Sequence, residues 1–337
     1  MMKKDKVFII AELGINHNGN LNLAKKMINS AKKAGADAVK FQIFKTENVV
    51  TKDAKLCDYQ KKDKLKKDNS LFKLLKKLEL NYSSFRILAN HCRKKKIEFM
   101  CTADESEGLN EIKKMIKKVK IGSAELNDLY FLEKIAKLNK LTFLSTGLSD
   151  INQVKKSRNH LIKNGLSKDK IFILHCTSAY PAPDKDLNLN VLKSYFKLFG
   201  KNIGYSDHNS SIISSVIAVS LGAKVIEKHF TLDKKLIGPD HKSSLNPKEF
   251  KNMVRDIRRC ELMLGSNKKI ITNSEIKNIK KIRKGIYAKK NIFIGEKFSE
   301  KNICIKRPYN GSRIENFKKI IGNKSLKCYQ LDDGIFE

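Results

Sequence analysis

Eight short apolar runs, each followed by a helical pattern, constrain the fold more than any other feature of the chain. Between the runs, apolar residues recur at helical spacing and stop at a glycine, as at Ala24, Met27, Ile28 and Ala31 before Gly35. Continuous apolar runs are typical of parallel strands that helices cover on their outer face. The pattern therefore predicts a (β/α)8 barrel closed by a helix over residues 247–264. The predicted strands lie at residues 7–10, 38–41, 98–101, 119–121, 142–144, 171–174, 202–204 and 224–226.

The pattern changes after the barrel, which we predict to occupy residues 1–265. Residues 266–283 are polar and lysine-rich with helical character, and we predict that they form a linker. Residues 284–337 contain short strands and turns. So small a module buries little apolar area by itself, so we expect it to dock on another surface. Within the barrel, the segment 46–80 is long for a loop, and we expect it to be partly mobile.

The chain is strongly basic, with 70 Lys and Arg against 35 Asp and Glu and a formal net charge of +35. Such a charge suggests nucleic acid or an anionic membrane as a partner. Here the lysines are spread along nearly every helix, which favours a solvated basic surface that attracts anionic substrates; neither nucleic acid nor membrane is expected. The seven cysteines form no Cys-x-x-Cys pair, and no segment has the length of a signal-peptide core or a bilayer span. We therefore expect a cytoplasmic protein.

Two histidines, His208 and His229, stand a few residues after the seventh and eighth predicted strands, with one helix pattern between them. If these strands are adjacent and parallel, both imidazoles meet at the same end of the barrel. Two imidazoles completed by oxygen ligands from substrate and water suit an exchangeable divalent ion better than a closed zinc site. The sequence therefore predicts a metal site for Mn²⁺, with Mg²⁺ or Co²⁺ as alternatives.

Polar residues stand at the carboxyl ends of the other predicted strands, where barrel enzymes carry their reacting groups. Lys40 and Lys120 lie inside apolar strands, and a buried ammonium is costly without an anionic partner. Glu12 or Glu125 could supply that partner in the empty protein. Inward lysines with hydroxyls and glycine-containing turns suit a small, multiply charged anion.

These motifs resemble the sialic acid synthase family, which includes the N-acetylneuraminate and legionaminic acid synthases. The resemblance implies a TIM barrel followed by a small β-rich antifreeze-like (SAF) domain. It also implies condensation of phosphoenolpyruvate with the open-chain aldehyde of an N-acetylmannosamine-type sugar, with cleavage of a carbon–oxygen bond that releases phosphate. The segments that carry it are 11–19, 40–42, 120–123, 145–147, 205–208, 227–230 and 238–242, with 306–308 in the terminal module.

The family resemblance also implies roles for individual residues. Glu12 would position or deprotonate the attacking water or act on the tetrahedral intermediate, and we count it as catalytic with Lys40, Lys120 and Asp240. The metal held by His208 and His229 would act as a Lewis acid on the sugar aldehyde. The sugar would meet Gln42, Glu125, Tyr180 and Asp240. The phosphate and carboxylate of phosphoenolpyruvate would be held by Lys40, Thr102, Lys120, Ser123, Ser145, Ser178 and Ser206.

In the family, the terminal domain covers the active site of the partner subunit. A domain-swapped homodimer is therefore implied, with Arg307 reaching the N-acetyl group of the sugar. Two departures from the family pattern concern the substrate. Ala103-Asp104 stand where Pro-Phe is common, and Ser178 replaces an asparagine or threonine. An aspartate near a bound trianion is repulsive unless it points away.

Three questions stay open at the level of sequence. The accepted sugar is N-acetylmannosamine or, for a legionaminic acid synthase, 2,4-diacetamido-2,4,6-trideoxymannose, because the form of segment 238–242 occurs in both kinds of enzyme. A basic nucleic-acid-binding barrel would show a steep salt dependence of affinity. A two-histidine metal hydrolase would want more carboxylate ligands and would leave the two inward lysines unexplained.

Overall fold

A computed structural model describes residues 6–57, 60 and 69–336 of the chain. The chain divides into two compact units, Met1–Gly265 and Ser266–Glu337. No helix among the described residues has the length and apolar character needed to cross a membrane.

The first unit is a closed barrel of eight parallel strands that follow one another in sequence order, which confirms the predicted (β/α)8 fold. All eight predicted strands are present. Most of them continue past the apolar run into polar residues, and the first, for example, ends at Gly14 instead of residue 10. The strands are β1 Phe8–Gly14, β2 Ala38–Ile43, β3 Glu98–Ala103, β4 Lys118–Ile121, β5 Leu141–Ser145, β6 Ile171–Cys176, β7 Ile203–Asp207 and β8 Val225–His229.

Helices follow the strands and cover the outside of the barrel, and the closing helix has the predicted bounds. The segment 46–80 contains two short helices, and its residues 58–59 and 61–68 lie outside the described residues. Asn81 caps the helix that begins at Tyr82, and its side chain accepts a hydrogen bond from the amide of Ser84. The helices are α1 Leu21–Lys33, α2 Thr46–Val49, α3 Leu71–Leu78, α4 Tyr82–Lys94, α5 Ser106–Ile112, α6 Leu129–Lys137, α7 Ile151–Lys163, α8 Val191–Phe199, α9 Ile213–Ser220 and α10 Pro247–Leu264.

The barrel interior changes from apolar to polar along each strand. Side chains two residues apart on a strand face the same way. Ile10 in β1 packs in the interior apolar cluster, and Glu12 follows it two residues later. Phe143 in β5 belongs to the same cluster and is followed by Ser145. Apolar packing therefore fills the amino-terminal part of the barrel and leaves its carboxyl-terminal end to buried polar groups.

The second unit has its own apolar core. It contains α11 Asn273–Ile282, which occupies most of the segment predicted as a linker, and α12 Phe317–Ile320. Two antiparallel strands, β9 Gly285–Ala288 and β10 Ile303–Lys306, form its sheet. The core residues are Ile286, Ala288, Ile292, Phe298, Ile303, Ile320, Tyr329 and Ile335.

Candidate active site

A cavity of about 390 Å³ opens at the carboxyl-terminal end of the barrel strands. It brings together every site residue predicted from the sequence except Asp240 and Arg307. The predicted residues that line it are Glu12, Lys40, Gln42, Thr102, Lys120, Ser123, Glu125, Ser145, Ser178, Tyr180, Ser206, His208 and His229.

Two buried lysines lie at the base of the cavity among carboxylates. Lys40 Nζ lies 2.9 Å from Glu12 Oε2 and donates to Thr102 Oγ1 at 2.8 Å. Lys120 Nζ lies 3.5 Å from Glu227 Oε1, which is also 3.9 Å from Lys40 Nζ. Glu12 therefore supplies the anionic partner of Lys40, as one alternative predicted, whereas Glu227 supplies that of Lys120 in place of Glu125.

The two acidic partners differ in their protonation. Burial raises the pKa of Glu12 to about 7, although Lys40 acts in the opposite direction. Burial also opposes ionisation of Glu227, but the two lysines outweigh it and hold the pKa of that carboxyl below its ordinary value. Glu227 is therefore a fixed anion, whereas Glu12 can exchange a proton near neutral pH.

His208 and His229 face the same cavity, as their positions predicted. Their ring centroids are 5.3 Å apart, and the ring of Tyr180 stacks on His208 at 4.2 Å. His208 Nδ1 lies 2.8 Å from the carbonyl oxygen of Thr177, which can only accept, so Nδ1 carries a proton and donates it. Burial lowers the pKa of His208, but the neighbouring Cys176 outweighs burial and raises that pKa above its ordinary value, so Nε2 presents a lone pair only in the neutral ring. Burial and the neighbouring His208 hold the pKa of His229 well below its ordinary value, so this ring is neutral.

Several buried polar atoms around the cavity have no hydrogen-bond partner. They include Glu12 Oε1, Ser145 Oγ, Glu227 Oε2 and His229 Nδ1. Glu12 Oε2 lies within ion-pair distance of Lys40 Nζ. Buried polar atoms are rarely left unpaired, so their concentration in one cavity indicates a place for a polar ligand.

The donor set fits an exchangeable metal ion. Both imidazole rings can be neutral and can offer a ring nitrogen to a metal. One of these nitrogens, His229 Nδ1, is buried without a hydrogen-bond partner. In the described part of the chain, no group of three or more His, Cys, Asp or Glu side chains is arranged to hold a metal. A closed protein cage is therefore not formed there, and further ligands would have to come from substrate or water.

Glycines at the cavity wall leave room for functional side chains. Gly14 has φ +46°, and a Cβ there would lie 3.0 Å from Glu12 Oε1. At Gly147, a Cβ would lie 2.2 Å from Ser178 Oγ and 2.8 Å from Ser123 Oγ. A larger residue at either position would displace groups predicted to meet the substrate.

The two remaining predicted residues lie outside the cavity lining. Asp240 is buried beside it, with Oδ2 3.7 Å from His229 Nδ1, and burial raises its pKa to about 6. Arg307 belongs to the second unit, where its side chain is exposed.

The lining also includes Glu227, Asp104 and Cys176, which were given no role from the sequence. Glu227 lies two residues before His229 in the same strand, so both side chains face the same way. This spacing was the signal that could have identified Glu227 as a site residue. Asp104 does not point away from the substrate region, since it lines the cavity with Glu125. Burial and the repulsion of Glu125 raise the pKa of Asp104 well above its ordinary value, which reduces the expected repulsion of an anionic substrate. Cys176 Sγ lies 3.7 Å from His208 Nδ1.

This fold and this cavity define a (β/α)8-barrel enzyme whose site combines paired lysines, a titratable carboxyl group and two imidazoles at the carboxyl ends of the strands. A sequence model described as the NeuB family matches residues 27–269. The chain belongs to this family, the sialic acid synthases.

Two relatives match nearly the whole chain in sequence. It is 44% identical to the N,N'-diacetyllegionaminic acid synthase of Campylobacter jejuni subsp. jejuni serotype O:2, over 98% of this chain and 99% of that protein. It is 37% identical to the N-acetylneuraminate-9-phosphate synthase of Homo sapiens, over 98% and 91% of the two chains. Among solved structures, it resembles the N-acetylneuraminic acid (sialic acid) synthetase of Leptospira borgpetersenii serovar Hardjo-bovis in complex with citrate. That match has a TM-score of 0.71 and 33% identity and covers 81% of this chain and 90% of the other.

Proposed function

We propose that this protein is a nonulosonic acid synthase that condenses phosphoenolpyruvate with an acetamido sugar of the mannose series and releases phosphate. The observation that carries the proposal is that two buried lysines and two imidazoles line one cavity. The ring centroids of the two imidazoles are 5.3 Å apart. A nucleic-acid-binding function has no such support, and a two-histidine hydrolase would not need the lysines.

The sugar is proposed to be 2,4-diacetamido-2,4,6-trideoxymannose. The support is the 44% identity to a diacetyllegionaminic acid synthase, against 37% to an N-acetylneuraminate-9-phosphate synthase. N-acetylmannosamine is the competing substrate, and the experiment below compares the two directly.

Lys40 and Lys120 are proposed to bind the anionic groups of phosphoenolpyruvate. Both ammonium groups face the carboxylates of Glu12 and Glu227, so an incoming anion would compete with these carboxylates for two buried cations. Hydroxyl groups at the strand ends surround them and can donate to phosphate or carboxylate oxygens. These are Thr102, Ser123, Ser145, Ser178 and Ser206.

In the proposed reaction, the methylene carbon of phosphoenolpyruvate forms a bond to the aldehyde carbon, and the aldehyde oxygen takes up a proton. Water then adds to the carbon that carries the phosphate ester. The carbon–oxygen bond to phosphate breaks, which leaves the 2-keto acid. Glu12 is suited to take the proton from that water, because its pKa of about 7 allows it to accept and return a proton near neutrality.

His208 and His229 are proposed to hold a divalent cation, most suitably Mn²⁺, with Asp240 next to them. Such an ion would polarise the sugar aldehyde and orient it. The protein's own contribution is to fix the ring of His208 through the carbonyl of Thr177 and the stacked Tyr180. Gln42, Glu125 and Asp240 are proposed to meet the polar groups of the sugar.

The second unit is proposed to be an antifreeze-like (SAF) domain that covers the active site of the partner in a homodimer, with Arg307 contacting the acetamido group. The support is the resemblance of segment 306–308 and the exposure of Arg307 within its own unit. Mass measurement in solution tests this proposal, and a strictly monomeric yet fully active enzyme would exclude it.

The reaction is tested with the full-length chain, phosphoenolpyruvate, Mn²⁺ and each of the two sugars in parallel, with phosphate release as the measurement. Release with the diacetamido sugar at the higher kcat/KM supports the proposal. A preference for N-acetylmannosamine would change the sugar but keep the reaction, and no release with either sugar would exclude the reaction.

A further inference from the structure

A fully buried ion pair lies next to the two histidines but outside the cavity. Lys228 Nζ in β8 lies 2.9 Å from Asp207 Oδ2 in β7, and both side chains have 0% exposure. The two residues are ladder partners between these strands. Each directly precedes a cavity histidine in sequence, and neither lines the cavity.

The pair is completed by a network around the turn that follows His208. Asp207 accepts hydrogen bonds from Ser214 Oγ at 2.7 Å and Ser215 Oγ at 2.6 Å, both in α9, and from the amide of Asn209 at 2.9 Å. Lys228 Nζ donates to the carbonyl oxygens of Asn209 and of Ser211. The pair therefore connects the turn after His208 to the strand that ends at His229 and to α9.

We propose that Asp207 and Lys228 are positioning residues that set the separation of His208 and His229 for a divalent cation, an inference that rests on the proposed metal-binding role of these histidines. A buried ion pair is often no more stable than apolar side chains of similar volume, so stability alone does not account for it. What apolar residues could not supply is the set of directional bonds that fixes the backbone immediately after His208. Metal affinity depends steeply on such supporting contacts.

The test is Mn²⁺ binding to the full chain, measured by calorimetry for the wild type and for the double variant D207N/K228M. The double change removes both charges together, so neither is left buried without a partner. We expect the Mn²⁺ Kd to rise at least tenfold, which is typical of lost supporting contacts. The Kd for phosphoenolpyruvate without metal should change less than twofold, because Lys40 and Lys120 stand on β2 and β4.

A matched control is E98Q/K118M. Lys118 Nζ lies 2.7 Å from Glu98 Oε1, so this pair also joins neighbouring strands. It stands at the amino-terminal ends of β3 and β4, away from the histidines. We expect the control to lower the melting temperature and leave the Mn²⁺ Kd within twofold of the wild type. Equal loss of Mn²⁺ affinity in both double variants would mean that a general loss of stability is responsible, and would overturn the inference.

Circular dichroism establishes whether D207N/K228M is folded. If it is not, the milder variant S214A/S215A removes only the two hydroxyl donors to Asp207 and should raise the Mn²⁺ Kd several-fold. Unchanged Mn²⁺ affinity in whichever of these two variants is folded would overturn the inference. Absence of Mn²⁺ binding by the wild type would instead refute the proposed metal site, and this inference with it.

Discussion

Replacing Lys40 with methionine should make the stability of the barrel depend on pH in a way that the wild type does not. Lys40 Nζ lies 2.9 Å from Glu12 Oε2, and the two side chains are only 3% and 1% exposed. The pKa of Glu12 is about 7 with Lys40 present, against an ordinary value of 4.5. Without the ammonium group, burial and the neighbouring Glu227 should keep Glu12 protonated well above pH 7.

The size of this pH dependence follows from the linkage between proton binding and folding. A carboxyl group with a raised pKa makes the folded state less stable as pH rises from its unfolded pKa to its folded pKa, because the folded protein holds a proton that the unfolded chain has lost. In the wild type this loss ends near pH 7, whereas in K40M it should continue. The difference between the two proteins should therefore open above pH 7 and grow by about 1.4 kcal/mol per pH unit.

Urea unfolding in the presence of a chelator, followed by circular dichroism from pH 6 to 9, measures the free energy of unfolding of the barrel. By pH 9 the K40M deficit should exceed its value at pH 6 by about 2.7 kcal/mol. The control is the pair E12Q and E12Q/K40M, whose difference should be independent of pH. Parallel curves for wild type and K40M across this range would refute the reasoning.

Three further predictions concern single residues. H229A should abolish metal-dependent phosphate release and leave the melting temperature nearly unchanged, because the ring lines an open cavity; retained turnover would remove the proposed metal role. His17 is buried with a pKa lowered by burial to about 4, so the unfolded chain binds more protons below pH 6.5 and acid should destabilise the fold. We expect a loss of about 2 kcal/mol between pH 6.5 and 5 that H17Q lacks, and an equal loss in H17Q would contradict this. E227Q should lower the phosphoenolpyruvate Kd about tenfold in calorimetry, equivalent to about 1.4 kcal/mol, because Glu227 competes with the substrate for both lysines; weaker binding would show the opposite role.

The barrel was predictable because its signal is local and repeated. Each strand begins in an apolar run that helices bury, and the closing helix was predicted with the bounds that α10 Pro247–Leu264 has. The strands were predicted too short at their carboxyl ends. A charged residue such as Glu12 or Glu227 interrupts the apolar pattern, although the barrel interior accommodates it within the strand.

The sequence predicted which residues line the cavity, because they stand at strand ends. It did not predict which lysine and which carboxylate form each ion pair. The sequence places His208 and His229 after neighbouring strands, and adjacency alone brings them together. Which carboxylate meets Lys120 depends on how far each side chain extends across the barrel, and Glu227 reaches it from the opposite part of the ring. The place of Asp104 in the cavity lining likewise depends on contacts that no local pattern encodes.

The continuation of the strands into polar residues has an evolutionary consequence. Glu12, Lys40 and Glu227 are carried by hydrogen-bonded strands, so their mutual placement is inherited with the sheet and does not depend on the loops above it. The loops can thus vary in sequence while these three side chains keep their places on the strands. Replacing the segment that follows β2 with that of the Campylobacter jejuni relative should therefore leave phosphate release intact.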